Sequence, residues 1–236
     1  MSETRAVLLD IEGTTTPIAF VHEVLFTYAR EHVREFLENH VSSEYVLEDI
    51  ALLSEEHVAD VMNGETPPQL SDVVSVAAYV EWLIDRDRKS TGLKSLQGKI
   101  WRQGYMDGSL RAQVYADVEP ALQQWKEKGL TIGIFSSGSL LAQKLLFAHT
   151  EAGDLTRFID HYFDTTVGKK GAAESYRRIA ELIKVKTEEV LFVSDVVAEL
   201  DAAKKAGMKT LLSIRPGNQV QDRADEYKAI ESFEEI

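Results

Sequence analysis

From residue 117 onward the chain alternates helix-like stretches with short β-rich runs, and that alternation leaves few folds open. Strand-like runs at 131–135, 162–165, 190–193 and 210–214 are separated by helix-period stretches at 140–149, 172–183 and 198–206, and a further helix at 120–128 leads in. Strands joined through helices run parallel, because each helix carries the chain back across the sheet before the next strand begins. The apolar run from Ala6 to Leu9 adds one more strand at the start. The expected class is therefore α/β, with a doubly wound parallel sheet of the Rossmann-like kind, whose chemistry gathers at the carboxyl ends of its strands.

The stretch between the first strand and this alternation is helical throughout. Val21, Val24, Leu25, Tyr28, Val33, Phe36 and Leu37 recur at helical spacing and predict a helix over 20–39. A second is expected over 44–62. Gly64-Glu65-Thr66-Pro67-Pro68 then breaks the chain, since neither proline donates a backbone hydrogen bond and each restricts the residue before it. Two more helices are expected over 73–87 and 96–106. Trp101 and Tyr105, four residues apart on the last of these, read as core rather than as substrate contacts. The expected organisation is an α/β catalytic core of residues 1–16 and 116–236, interrupted by a helical cap of residues 17–115. Such an insert is what a mobile cover over an active site would look like.

The polar residues that end the strand-like runs carry the chemistry. Asp10-Ile11-Glu12-Gly13-Thr14 follows the first strand, Ser136-Ser137-Gly138-Ser139 the second, and Ser194-Asp195 the fourth, with Glu199 close behind; Gly168-Lys169-Lys170 lies between. Alone, the first pentad favours an acidic turn, and paired lysines are usually a solvated loop. Together they form a coherent set. Lysine and hydroxyls can hold phosphoryl oxygens, one carboxylate can attack while another moves a proton, and Asp10 with Asp195 suits one hard, oxygen-seeking Mg²⁺ ion. The six histidines show no metal-site spacing.

In this order the motifs resemble those of the haloacid dehalogenase superfamily of aspartate-nucleophile phosphotransferases. Asp10 to Thr14 is similar to its first motif, Ser136 to its second, Lys170 (or Lys169) to its third and Asp195 to its fourth. The superfamily's phosphatases usually carry Asp where this chain has Glu12. Glu in that place, in Asp-Ile-Glu-Gly-Thr-Thr, resembles the enolase-phosphatase family of methionine salvage. So do Ala142 to Phe147, Tyr162-Phe163-Asp164-Thr165, Glu174-Ser175-Tyr176 and Arg215-Pro216-Gly217-Asn218.

The resemblance implies a bifunctional enzyme that enolises 2,3-diketo-5-methylthiopentyl 1-phosphate and then removes the phosphate, giving 1,2-dihydroxy-3-keto-5-methylthiopentene. It implies Asp10 as nucleophile, passing through an aspartyl phosphate, with Glu12 as acid and base. It implies one Mg²⁺ per chain on Asp10, Glu12 and Asp195, the Glu12 position usually offering its backbone carbonyl. Ser136, Ser137 and Lys170 would bind the phosphoryl group. Lys170 is preferred to Lys169 because the family's lysine stands two residues after the glycine that corresponds to Gly168. Glu199 would orient Lys170 or a metal-bound water, against the equally weighted reading of a helix-surface acid. The enolisation base stays open between Glu12 and Lys170. Arg215 to Asn218 reads most simply as a loop after the last strand.

Composition narrows the field. With 26 basic against 39 acidic residues the net charge is −13, the wrong sign for affinity that comes from neutralising nucleic-acid phosphates. The absence of cysteine removes disulfides, thiolate metal sites and a cysteine nucleophile. No secretory leader is expected ahead of the first strand, and no apolar stretch is long enough to span a bilayer. The expectation is a cytoplasmic monomer acting on a small molecule, with neither nucleic acid nor membrane as partner. Two alternatives stay in view: a general small-metabolite phosphatase of the same superfamily, and a receiver-type phosphoacceptor module. Receivers are about half this length and carry their acceptor on a middle strand.

Overall fold

The computed structural model describes residues 3–236. Six parallel strands form one sheet: β1 (Ala6–Leu9), β2 (Thr131–Phe135), β3 (His161–Phe163), β4 (Val190–Ser194), β5 (Lys209–Ser213) and β6 (Ala229–Ile230), in the spatial order β3-β2-β1-β4-β5-β6. β1 pairs with β2 on one side, Leu9 opposite Ile134, and with β4 on the other, Leu9 opposite Val193. The chain therefore winds outward from β1 in one direction and, from β4, in the other. The reversal makes a switch point between β1 and β4, where two crossover connections diverge and leave a crevice at the strand ends. All four residues of β1 and all five of β4 are buried, as strands covered on both faces require.

The helices of this unit follow the predicted alternation: α5 (Val118–Glu127), α6 (Leu140–Ala148), α7 (Ala173–Leu182) and α8 (Val197–Ala206), numbered after the four helices of the insert. α7 and α8 pack together, and Tyr176, Ile179, Leu200 and Ala203 join Leu8, Phe135 and Phe192 in one buried cluster. β6 has no counterpart among the sequence expectations. Two residues are too few to show a period, and the strand exists because Leu212 and Ile214 bond to backbone carbonyls of Lys228 and Ile230.

The chain divides into two units, one running to Val21 and resuming at Arg111–Ile236, the other spanning His22–Leu110. The second consists of α1 (Thr27–His40), α2 (Glu44–Met62), α3 (Val73–Ile84) and α4 (Thr91–Asp107). In it α1 packs on α3 and α4, and α2 on α4. Partly buried ion pairs tie it together: Lys99 of α4 to Asp49 of α2 at 2.5 Å, and Arg88 of the α3–α4 loop to Asp60 of α2 at 2.8 Å, with the Tyr79 hydroxyl donating to Asp60 at 2.7 Å. Trp101 and Tyr105 are core residues of α4.

The helix expected over 20–39 is wound in two ways. Phe20–Phe26 is π-helical and α winding begins only at Thr27. The Trp101 indole N–H donates to the Leu25 carbonyl at 2.7 Å and so engages a group that regular α winding would direct at residue 29. α4 also starts five residues earlier than periodicity suggests, because the Ser90 side chain accepts from the Leu93 N–H and caps it. No helix among the described residues is long and apolar enough to cross a membrane.

Candidate active site

The tips of β1 and β4 bring Asp10 and Asp195 to the switch point. The Asp10 N–H donates to the Val193 carbonyl at 3.0 Å, extending the β1–β4 ladder by one residue, and the chain then turns sharply. In that turn the Ile11 carbonyl accepts from the N–H groups of Thr14, Thr15 and Thr16, and the Thr15 hydroxyl donates to the Asp10 carbonyl at 3.2 Å. Gly13 has φ +68°, and a Cβ there would lie 2.4 Å from Asp195 Oδ2. Only glycine lets the turn approach that carboxylate so closely.

Lys170 reaches the same point from a residue 160 positions along the chain. Its Nζ donates to Asp10 Oδ1 at 2.5 Å and lies 2.7 Å from Glu199 Oε2. Lys169 is exposed. Two hydroxyls fix Lys170 and its neighbour: Tyr176 donates to the Lys170 carbonyl at 2.7 Å and Ser175 to the Lys169 carbonyl at 2.7 Å. Glu199, on the first turn of α8, also accepts from the Ser194 hydroxyl at 2.9 Å, so it is no surface acid. Ser136, at the tip of β2, is buried; its N–H donates to Phe163 and its Oγ accepts from the Gly138 N–H at 3.2 Å. Ser137 is half-buried in the same turn, and Glu12 is half-buried beside Gly13.

The electrostatics are those of crowded carboxylates. Burial pushes the Asp195 carboxyl up to about 7, the charges of Asp10 and Glu199 adding to it while Lys170 opposes. Burial, then Asp10, pushes Glu199 up to about 7 as well. Burial alone would lower Lys170, but the two carboxylates beside it outweigh that and hold its ammonium well above the ordinary lysine range. Lys170 thus pairs with two carboxylates, and the third, Asp195, lies in the field of all three groups. The donors are all hard oxygens, and Asp195 makes no ion pair among the described residues, so the site fits a small divalent cation such as Mg²⁺. No three His, Cys, Asp or Glu side chains cluster for a metal among the described residues. Mg²⁺ does not need that, since it keeps several waters and binds through one or two carboxylates.

Several contributors escaped the sequence reading. Ser194 had no signal beyond its place before Asp195, and Gln143 none beyond its place in the family-like run Ala142 to Phe147, yet its Nε2 holds the carbonyls of Gly138 and Phe163, both at 2.9 Å. The segment read as a plain loop is a brace: Arg215 donates to the Thr14 carbonyl at 3.3 Å and to Asp117 Oδ2 at 2.8 Å, and Asn218 donates to the Gly13 carbonyl at 2.9 Å. The available clue was the family-like match of Arg215-Pro216-Gly217-Asn218.

A family model for haloacid dehalogenase-like hydrolases matches residues 4–207. Enolase-phosphatase E1 of Synechococcus elongatus is 50% identical over 230 residues, covering 97% of this chain and 96% of its own. Enolase-phosphatase E1 of Danio rerio is 40% identical over 246 residues, covering 99% of this chain and 94% of its own. Among solved structures, the UTR4 protein of Saccharomyces cerevisiae superposes with a TM-score of 0.81 at 35% identity, covering 99% of this chain and 100% of that one. A dehalogenase at 20% identity, TM-score 0.57, shares the fold.

Proposed function

The chain belongs to the enolase-phosphatase family of haloacid dehalogenase-like hydrolases, and from that premise we propose that it converts 2,3-diketo-5-methylthiopentyl 1-phosphate to 1,2-dihydroxy-3-keto-5-methylthiopentene and phosphate, as a step of methionine salvage. The observation that carries this reading is the convergence of Asp10, Lys170 and Asp195 on the switch point of the sheet, with Glu12 in the turn between them.

The carboxylates of Asp10 and Asp195 and the backbone carbonyl of Glu12 would hold one Mg²⁺. When bound, that ion supplies the positive charge that lets an anionic nucleophile meet an anionic phosphate and polarises a carbonyl for enolisation. The remaining work falls to the chain. Asp10 attacks phosphorus, the P–O ester bond breaks, and Glu12 gives its proton to the departing oxygen. Glu12 then takes a proton from water as that water attacks the aspartyl phosphate, which frees phosphate and restores Asp10. Lys170 places a fixed charge against the phosphoryl oxygens, and Ser136 and Ser137 line the same strand tip with hydroxyls. Because Lys170 stands between two carboxylates that keep it protonated, it suits charge stabilisation, and Glu12 is the better candidate for the base that takes the carbon-bound proton. All these side chains come from one chain, so the reading needs no second copy.

The receiver alternative is disfavoured by topology. Receivers order their strands 2-1-3-4-5, whereas this sheet is ordered 3-2-1-4-5-6, with the aspartate after its first strand. The general phosphatase is separated by assay. With the phosphorylated diketone and Mg²⁺, the expected result is new ultraviolet absorbance from an enol, together with stoichiometric phosphate. Phosphate release from unrelated sugar phosphates at equal rates, with no enol from the diketone, would overturn the enolase half of the reading.

A further inference from the structure

β1 and β5 are not neighbours in the sheet, because β4, which carries Asp195 beyond its tip, lies between them. Their ends are nevertheless tied together across it. The Gly13 carbonyl accepts from Ser213 Oγ at 3.1 Å and from Asn218 Nδ2 at 2.9 Å, and the same Nδ2 donates to the Ser213 carbonyl at 3.3 Å. Two carbonyls facing one atom identify it as the amide nitrogen, so Oδ1 is the end of the carboxamide left for something else. A Cβ built on Gly13 would lie 2.9 Å from Asn218 Oδ1 and 2.4 Å from Asp195 Oδ2. Both oxygens therefore crowd the same side of Gly13. Asn218 Oδ1 is buried and has no hydrogen-bond partner among the described residues. A buried acceptor without a donor is costly, and a second acceptor beside it makes the place more negative still. A hard cation with its hydration shell relieves both.

Resting on the reading above, in which Asp195 helps to hold Mg²⁺, we infer that Asn218 is a positioning residue of that metal site. Its Nδ2 fixes the Gly13 backbone against which the Asp195 carboxylate packs, and its Oδ1 contributes a neutral oxygen beside that carboxylate. Arg215 supports the same turn through the Thr14 carbonyl but presents no oxygen to Asp195.

The test is calorimetric titration of Mg²⁺ into substrate-free protein, for the wild type, Asn218→Ala and Asn218→Asp, with circular dichroism to establish folding. Asn218→Ala, which loses both the brace and the oxygen, should bind Mg²⁺ about tenfold more weakly. Asn218→Asp keeps an oxygen beside Asp195 and adds charge but loses the Nδ2 brace, so it should bind more tightly than Asn218→Ala. A role limited to loop integrity would weaken both variants alike, and that result would overturn the inference. Affinities within about twofold of wild type in both variants would overturn it as well. Should the alanine variant not fold, Asn218→Ser takes its place in the comparison with the aspartate variant. A wild-type protein that binds no Mg²⁺ would overturn the metal reading and this inference together, whereas normal wild-type binding with unresponsive variants would overturn this inference only.

Discussion

At the scale of single residues, the two adjacent lysines differ more than their identity suggests. Lys170 is enclosed by Asp10 and Glu199, and Lys169 points into solvent. Lys170→Ala leaves two buried carboxylates without their shared counter-charge, a change that typically costs about 3–5 kcal/mol when one partner of a buried pair is removed. It should lower phosphate release at least about 100-fold, while Lys169→Ala stays near wild type; steady-state kinetics of the two variants check the ranking. Asp10→Asn should abolish phosphate release at saturating Mg²⁺, as measured by a phosphate assay, because a neutral amide oxygen cannot displace the ester. Asp195 gives a pH prediction for the metal-free protein. Its folded carboxyl is raised from its ordinary value to about 7, so between those limits the folded state binds more protons and stability falls as pH rises through the window. Asp195→Asn should flatten that decline in thermal melts between pH 4 and pH 7. An equally steep fall in the variant would assign it to other groups.

At the scale of elements, periodicity located the helices and strands, and particular contacts set their ends. The second helix of the insert runs Glu44–Met62 as its apolar spacing predicts, and β2 runs Thr131–Phe135. The start of α4 was illegible because Thr91, Gly92 and Lys94 blur the apolar stripe, while the Ser90 cap depends on geometry rather than on pattern. Ser90→Ala should therefore cost about 1 kcal/mol, read from chemical denaturation. The turn after β1 was legible as a glycine turn. That Gly13 must be glycine because Asp195 packs on its α-carbon was not, since the two are far apart in sequence. Gly13→Ala combines a left-handed backbone with a clash against a carboxylate and should cost about 1–3 kcal/mol, visible as a lowered denaturation midpoint together with lost phosphate release.

At the scale of the whole molecule, the chain folds as two units, and the residues proposed to hold Mg²⁺ all belong to the unit that carries the sheet. Saturating Mg²⁺ should stabilise that unit by about 2.7 kcal/mol at a hundredfold excess over its dissociation constant. In calorimetry the stabilisation should vanish in Asp195→Asn; a shift of equal size there would place the ion elsewhere. The sequence by itself determined the parallel α/β class, the helical insert and the residue types at the strand ends. Those follow from local periods and from the requirement that strands linked by helices run parallel. Tertiary structure decided the rest. The ion pairs of Lys170 with Asp10 and Glu199, and the recruitment of Asn218 and Arg215 to the turn after β1, depend on contacts between segments remote in sequence. Such contacts exist only once the sheet order places β1, β4 and β5 side by side.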